Sequence, residues 1–143
     1  MIGLLGRMGD RGNVAVEFAM VAPLLVTLLL GMADFGIAAH EKSRLAVAAR
    51  AGLQAVLTAA DDTAGAQLAA TRALGGAEAE VEVVTECVCP GGVGVACTEY
   101  CSMGYRRQVV TVTVSRTHTL LVPWPGFGEG EMDLAASAYA RVK

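Results

Sequence analysis

The sequence predicts an α+β fold: a long N-terminal helix with a membrane half and an amphipathic half, a short second helix, and a small antiparallel sheet with a disulfide-rich loop. Three observations predict it. From Phe18 to Ala33 the chain carries no charge, and about 20 apolar residues suffice for a helix to cross a bilayer. Behind that run, apolar residues recur at three- and four-residue steps as far as Ala60, which is the helical period. Beyond Gly76, three stretches alternate apolar and polar residues, the period of strands with one wet face.

The size is that of one domain: 143 residues, too few for two ordinary ones. Hydrophobic residues make up 54% and charged residues 17%, with a mean hydropathy of +0.49. That is apolar for a soluble chain, and the excess lies largely in the N-terminal run. A formal net charge of -3 gives no support to a nucleic-acid surface. The one adjacent basic pair, Arg106-Arg107, reads as a solvated strand end.

Residues 1–11 carry Arg7, Arg11 and a free amine against Asp10. A positive flank before an apolar run stays in the cytoplasm, which places residues 34–143 outside. Lys42 and Arg44 on the far flank make the bias modest, and the cysteine cluster favours the same orientation. Three readings compete for the run itself. One is a cleaved secretory signal with Gly31-Met32-Ala33 as the small-residue site, but the run is longer than the usual 7–15-residue core and an acid, Glu17, sits inside its start. Another is a plain signal anchor, which leaves Glu17 unexplained, since a carboxylate in a membrane segment is costly. The third gives Glu17 a task.

The helix is predicted from Val14 to about Ala60, near 70 Å at 1.5 Å per residue. Leu45, Ala49, Gly52, Leu53, Val56, Leu57 and Ala60 form one apolar face, and Arg44, Arg50 and Gln54 lie away from it. Pro23 removes one backbone bond, which membrane helices tolerate where the freed carbonyl finds another partner. It reads as a flexible or kinked stretch, or as an ordinary membrane proline. Asp61-Asp62-Thr63 breaks the helix and supplies a cap for a second one, expected over 64–74 with Leu68 and Leu74 as its larger apolar groups and Gly75-Gly76 as its stop.

Strands are predicted over 78–84, 108–119 and 132–142. The first sets Ala79, Val81 and Val83 against acids. The second puts Val110, Val112 and Val114 on one face, and the third Met132, Leu134, Ala136, Ala138, Ala140 and Val142. Such a sheet can cover the exposed face of the helix. Between the last two strands, Pro123-Trp124-Pro125-Gly126-Phe127 is turn-rich. Its Trp124 and Phe127 either cap the core or form a contact surface.

All four cysteines, Cys87, Cys89, Cys97 and Cys101, fall in one loop with spacing C-x-C-x7-C-x3-C. Zinc sites favour C-x2-C pairs or nearby histidines, and His40 and His118 are distant in sequence. In an exported chain the disulfide reading is the stronger. Of the three pairings open to four cysteines, one that joins Cys87 to Cys89 is the least favoured, because residues two apart on a strand are at the far end of bridgeable separation. A redox role is weakly supported, since C-x-x-C is absent.

No motif of an active site is present: no G-x-S-x-G, P-loop or H-E-x-x-H. Both histidines and the strand pair Glu80 and Glu82 have solubilising or packing readings. The chain is expected to be no enzyme, with no cofactor, no metal and no small-molecule substrate.

The residues Gly12, Glu17-Phe18, Pro23 and Asp34-Phe35-Gly36 carry a resemblance. The order is a short basic leader, a glycine, an acid five residues later and an apolar helix, and it resembles the processing signal of type IV prepilins. More narrowly, the run from Gly12 to Gly36 is similar to the TadE-like pseudopilins of the Tad (Flp pilus) system. Among Gly3, Gly6, Gly9 and Gly12, only Gly12 puts an acid at position five of the product. The resemblance covers residues 12–50; beyond them it rests on layout and on the cysteine cluster. It implies a pilin-like fold, a leader of residues 1–12 cut by a prepilin peptidase, a transmembrane and assembly helix over 13–33, and an external domain over 34–143 with the cysteine loop at 87–101. It implies a structural role in pilus assembly, surface attachment and adhesion. The expected partners are the inner membrane, other pilin subunits and the assembly platform. The N-terminus would be cytoplasmic and the domain periplasmic, or in an extracellular pilus after processing. Cleavage frees the Asn13 amine about one turn from Glu17, and in a filament the acid of one subunit would pair with the amine of its neighbour. Two other classes stay open: an uncleaved, single-pass anchored periplasmic binding or adaptor module, and a secreted disulfide-stabilised domain.

Overall fold

The computed structural model describes residues 9–59, 62–102, 104–123, 126 and 130–142. Helix α1 spans Gly9–Thr58 and runs unbroken through Pro23. It therefore starts before Val14, where the sequence pattern places it. The leader residues 1–8, and the predicted contact residues Trp124 and Phe127, lie outside the described residues.

Helix α2, Thr63–Ala73, begins where a cap is available: the Asp62 carboxylate accepts from Gly65 N at 2.7 Å. That bond satisfies one of the donors that the first turn leaves unpaired. It ends at Leu74, and the following Gly75 and Gly76 both take positive φ (65° and 87°), which costs glycine no Cβ clash. Its packed face is Ala66, Ala70 and Leu74. Of its two larger apolar groups, Leu74 is buried and Leu68 is half exposed, because the alanine face lets α2 lie closer to α1 than a leucine there would allow.

Four strands form one antiparallel sheet in the order β2-β1-β3-β4. They are β1 (Glu80–Val88), β2 (Gly94–Val95), β3 (Arg107–Thr119) and β4 (Glu131–Arg141). The register pairs Val81 with Val114, Val83 with Val112, and Val114 with Ala136, so the predicted apolar sets share one face. The first strand runs to Val88, four residues past the expected end, because its C-terminal half pairs with the start of β3 and with β2.

The sheet covers the second half of α1. Val110, Val112 and Val114 are 1% exposed or less, and they pack with Leu45, Ala48, Ala49, Ala70 and Leu74 in one cluster and with Val56 and Ala66 in another. Leu57 is exposed, against expectation. The helix turns Val56 into the core and leaves its neighbour outside. Gly52 marks the closest approach of the two helices: a Cβ there would stand 3.0 Å from the Ala66 carbonyl oxygen and 3.1 Å from Val112.

Strand β3 runs alongside α1. Val110 packs with Val56 at one end, and Leu121 N bonds Asp34 at the other. The two stretches between those points are nearly equal, about 33 Å of helix and about 36 Å of strand.

The cysteine loop closes the end of the sheet far from Asp34. Cys87 pairs with Cys97 and Cys89 with Cys101, which settles the connectivity the spacing leaves open. A tight turn brings Cys89 N to Val93 O at 2.9 Å, with Gly91 and Gly92 at positive φ. It returns the chain as β2, a hairpin that the sequence reading takes as plain loop.

Candidate functional site

Helix α1 is bare from Val14 to Leu30. Every described side chain from Val14 to Leu30 is exposed apart from the partly covered Ala22. Phe18 (67%), Met20 (77%) and Leu24 (66%) point outward on different sides of the helix. An apolar helix bare on all sides is a membrane or packing element, since no such surface persists in water. The helix is long and apolar enough to cross a bilayer once, and it fits a single-pass anchor.

Glu17 is the one charge within the bare stretch from Val14 to Leu30. It stands on the helix and is exposed. With the helix starting at Gly9, Glu17 lies more than two turns from the helix end, beyond the first turn over which the helix dipole acts. A cut after Gly12 would shorten the helix to Asn13 and bring Glu17 about 6 Å along the axis from a new ammonium group. Gly12 and Asn13 themselves lie within α1. Pro23 takes away the amide that would bond the Ala19 carbonyl, and one turn on Thr27 Oγ1 donates to Leu24 O at 2.9 Å.

Coverage starts at Gly31, the first buried position of the helix. Three residues on, Asp34 is 1% exposed and its Oδ1 accepts from Leu121 N at 2.8 Å. This bond ties the helix to a residue 87 positions away in sequence. A buried carboxylate needs such donors, since an unpaired one is expensive. Asp34 reads in the sequence as the far edge of the apolar run, and nothing there shows that it holds the domain in place.

A polar clamp lies just above. Arg116 and His118 share the inward face of β3 with the three valines, and both reach Glu41 on α1. Arg116 Nη1 is 3.6 Å from Glu41 Oε1 and His118 Nδ1 is 3.2 Å from Oε2. The second contact lacks hydrogen-bond geometry, and Oε2 and the other imidazole nitrogen, His118 Nε2, are both buried with no hydrogen-bond partner among the described residues. Arg44 Nη2 donates to Leu74 O at 2.9 Å and joins α1 to the end of α2. His118 thus faces the helix. The alternation of β3 could have revealed it, since 118 has the parity of 110, 112 and 114. His40 is exposed on α1.

The cysteines predicted as one cluster are brought together as two bridges, and Cys87 is 2% exposed beneath them. The loop also carries Tyr100 and Tyr105, both more than nine-tenths exposed. No group of three or more His, Cys, Asp or Glu side chains among the described residues is placed to hold a metal ion. Gly12 to Pro23 on α1 and the bridged loop lie at opposite ends of the fold.

Residues 12–54 match the family model described as TadE-like protein. That stretch lies wholly within α1 and takes in both its bare part and most of its packed part. The sheet and the cysteine loop lie outside the match. No curated protein and no solved structure matches the chain.

Proposed function

We propose, from the TadE-like match over residues 12–54, that this chain is a structural minor pilin or pseudopilin of a Tad-type pilus. It is made as a precursor and cut after Gly12 by a prepilin peptidase. The observation that carries the reading is the coincidence of that match with a helix that is bare from Val14 to Leu30 and holds one acid in that stretch, five residues after Gly12. Before assembly the bare half sits in the inner membrane, with the N-terminus cytoplasmic and the folded domain periplasmic. In the filament, the Glu17 carboxylate of one subunit pairs with the Asn13 amine of its neighbour. The same apolar surface that faced lipid then faces other subunits, which requires little chemistry beyond exchange of one low-dielectric surrounding for another. The role is structural, in assembly and surface attachment, and not enzymatic.

One observation favours a second reading. Helix α1 passes through the Gly12–Asn13 bond without a break, and a peptidase needs an extended strand of backbone. An uncleaved anchor carrying a periplasmic binding or adaptor domain would keep that helix whole. A secretory cut after Ala33 has less support. The peptide bond lies inside α1 and is that of the buried Asp34 itself, which accepts from Leu121 N.

N-terminal sequencing of the membrane-bound protein, with and without active prepilin peptidase, separates the three. A mature start at Asn13 that depends on the peptidase is expected. Retention of Met1 in the presence of the enzyme refutes the processing step, and a start at Asp34 selects the secreted form. Glu17→Ala is expected to be processed yet fail to enter purified filaments. Normal incorporation of that variant would remove the pairing mechanism.

A further inference from the structure

The junction between the bare and covered halves of α1 carries a second contact with lipid. We propose that the start of the β3–β4 connection, Leu121–Val122, rests in the bilayer surface beside the helix, so that the domain stands on the membrane at two points. This inference rests on the reading of α1 as a membrane anchor.

Three observations converge on it. The first is height. Counted from Val14, about 20 residues bring the helix through a hydrocarbon core of about 30 Å, which ends at Ala33. The domain does not leave a gap there: Asp34, the next residue, is already 1% exposed. The second is fixation. The 2.8 Å bond from Leu121 N to Asp34 Oδ1 holds the connection at the level of Asp34. A further bond, Leu120 N to Gly130 O at 2.8 Å, closes the base of the connection just before it. The third is chemistry. Leu120 turns into the core at 8% exposure while Leu121 turns outward at 63%. On the helix at the same level, Met32 is 64% exposed. A large aliphatic side chain held outward at the plane where the apolar run ends continues the lipid-facing surface of the helix. The polar groups of the clamp, Glu41, Arg116 and His118, begin only further up.

Two contacts fix more than one does. A lone helix leaves the domain free to tilt, whereas a second apolar contact beside it sets the side of the domain that faces the membrane. The occupant of this surface is the phospholipid bilayer itself, in the zone between headgroups and acyl chains, where apolar side chains with nearby backbone polarity are accommodated.

The test uses the full-length protein in phosphatidylcholine vesicles. The chain has one tryptophan, Trp124, so Trp124→Phe gives a silent background. Leu121→Trp on that background, with Val122→Trp as a second position, reports local lipid through quenching by brominated acyl chains. Leu25→Trp reports the helix core and Tyr105→Trp the cysteine loop, each on the same background. We expect blue-shifted emission at position 121 or 122, with the largest loss of intensity when bromine lies near the headgroups. Position 25 should be quenched most by deep bromine and position 105 by neither. Quenching at 25 with water-like, unquenched emission at both 121 and 122 overturns the second contact and leaves the anchor intact. No quenching at 25 removes the anchor and this inference with it. Emission at 121 that is blue-shifted but insensitive to bromine means that another protein surface covers it, and that too overturns a lipid contact.

Discussion

Gly52 offers a direct measurement of how tightly the two helices lie, because one added methyl group there sets two effects against each other. Alanine in place of glycine in a helix interior stabilises by about 1 kcal/mol through helix propensity. At position 52 the new Cβ would stand 3.0 Å from the Ala66 carbonyl oxygen, 3.1 Å from Val112 Cγ1 and 3.2 Å from Ala70 Cβ. Carbon atoms in ordinary contact sit at about 3.5–4.0 Å, so each neighbour must yield by several tenths of an ångström. None has room: Ala66, Ala70 and Val112 are all fully buried, and the nearest atom is backbone. Overpacking of this kind costs about 1–3 kcal/mol, which outweighs the propensity gain and leaves Gly52→Ala destabilised by about 1 kcal/mol. The matched control is Gly36→Ala on the same helix, where an added Cβ meets nothing within 4 Å and the propensity gain of about 0.5–1 kcal/mol stands alone. Thermal unfolding of the detergent-solubilised protein should therefore shift in opposite directions, down by about 4 °C for Gly52→Ala and up by a few degrees for Gly36→Ala. A rise for both variants would refute the close approach of α2 to α1.

Two further outcomes test the two ends of the domain. Removing either bridge as a pair, Cys87→Ala with Cys97→Ala or Cys89→Ala with Cys101→Ala, should leave no free thiol on titration and cost about 3 kcal/mol in denaturant unfolding, as expected for loops of this size; two free thiols in either double variant would mean that the cysteines pair otherwise. At the end of the domain nearest the bare stretch, Asp34→Ala strips Leu121 N of its acceptor and should cost about 1–3 kcal/mol, read as faster hydrogen exchange at the Leu121 amide, while Asp34→Asn keeps an acceptor and should lose less. Unchanged exchange in the alanine variant would show that the bond does not hold the connection.

Much of the architecture was legible because its signals are local. The alternation of Val110, Val112 and Val114 named the inner face of β3, and Asp62 before an alanine-rich stretch named the start of α2. What escaped depends on partners distant in the chain. The first strand continues to Val88 only because β3 and β2 pair with it. Leu57 falls on the apolar face by its spacing, yet the helices meet through Gly52, Ala66 and Ala70, where small side chains win by letting the backbones approach. Asp34 shows the limit most plainly. Its role rests on an amide 87 residues away, and no spacing rule reaches that far. The same holds for Arg116 and His118, whose strand parity places them inward but whose partner, Glu41, comes from another element. For the proposed site the balance is reversed. Glu17, Phe18 and Pro23 stand out as a linear pattern after Gly12 because they are bare, and a surface that touches nothing within its own fold is written in sequence alone.

The unbroken course of α1 has a geometrical consequence. A helix that turns about 100° per residue keeps a fixed bearing between any two of its side chains. The positions that face the domain, Asp34, Ala38, Leu45, Ala49 and Val56, cluster about one line along the cylinder, and by that count Glu17 sits about 70° around from it. The acid and the sheet are thus set at a constant angle, as two marks on one shaft. Any contact that fixes Glu17 against a neighbour also fixes the direction in which the domain faces. The bearing of the outer domains around a filament, or around a membrane cluster, is then set from within by the phase of a single helix.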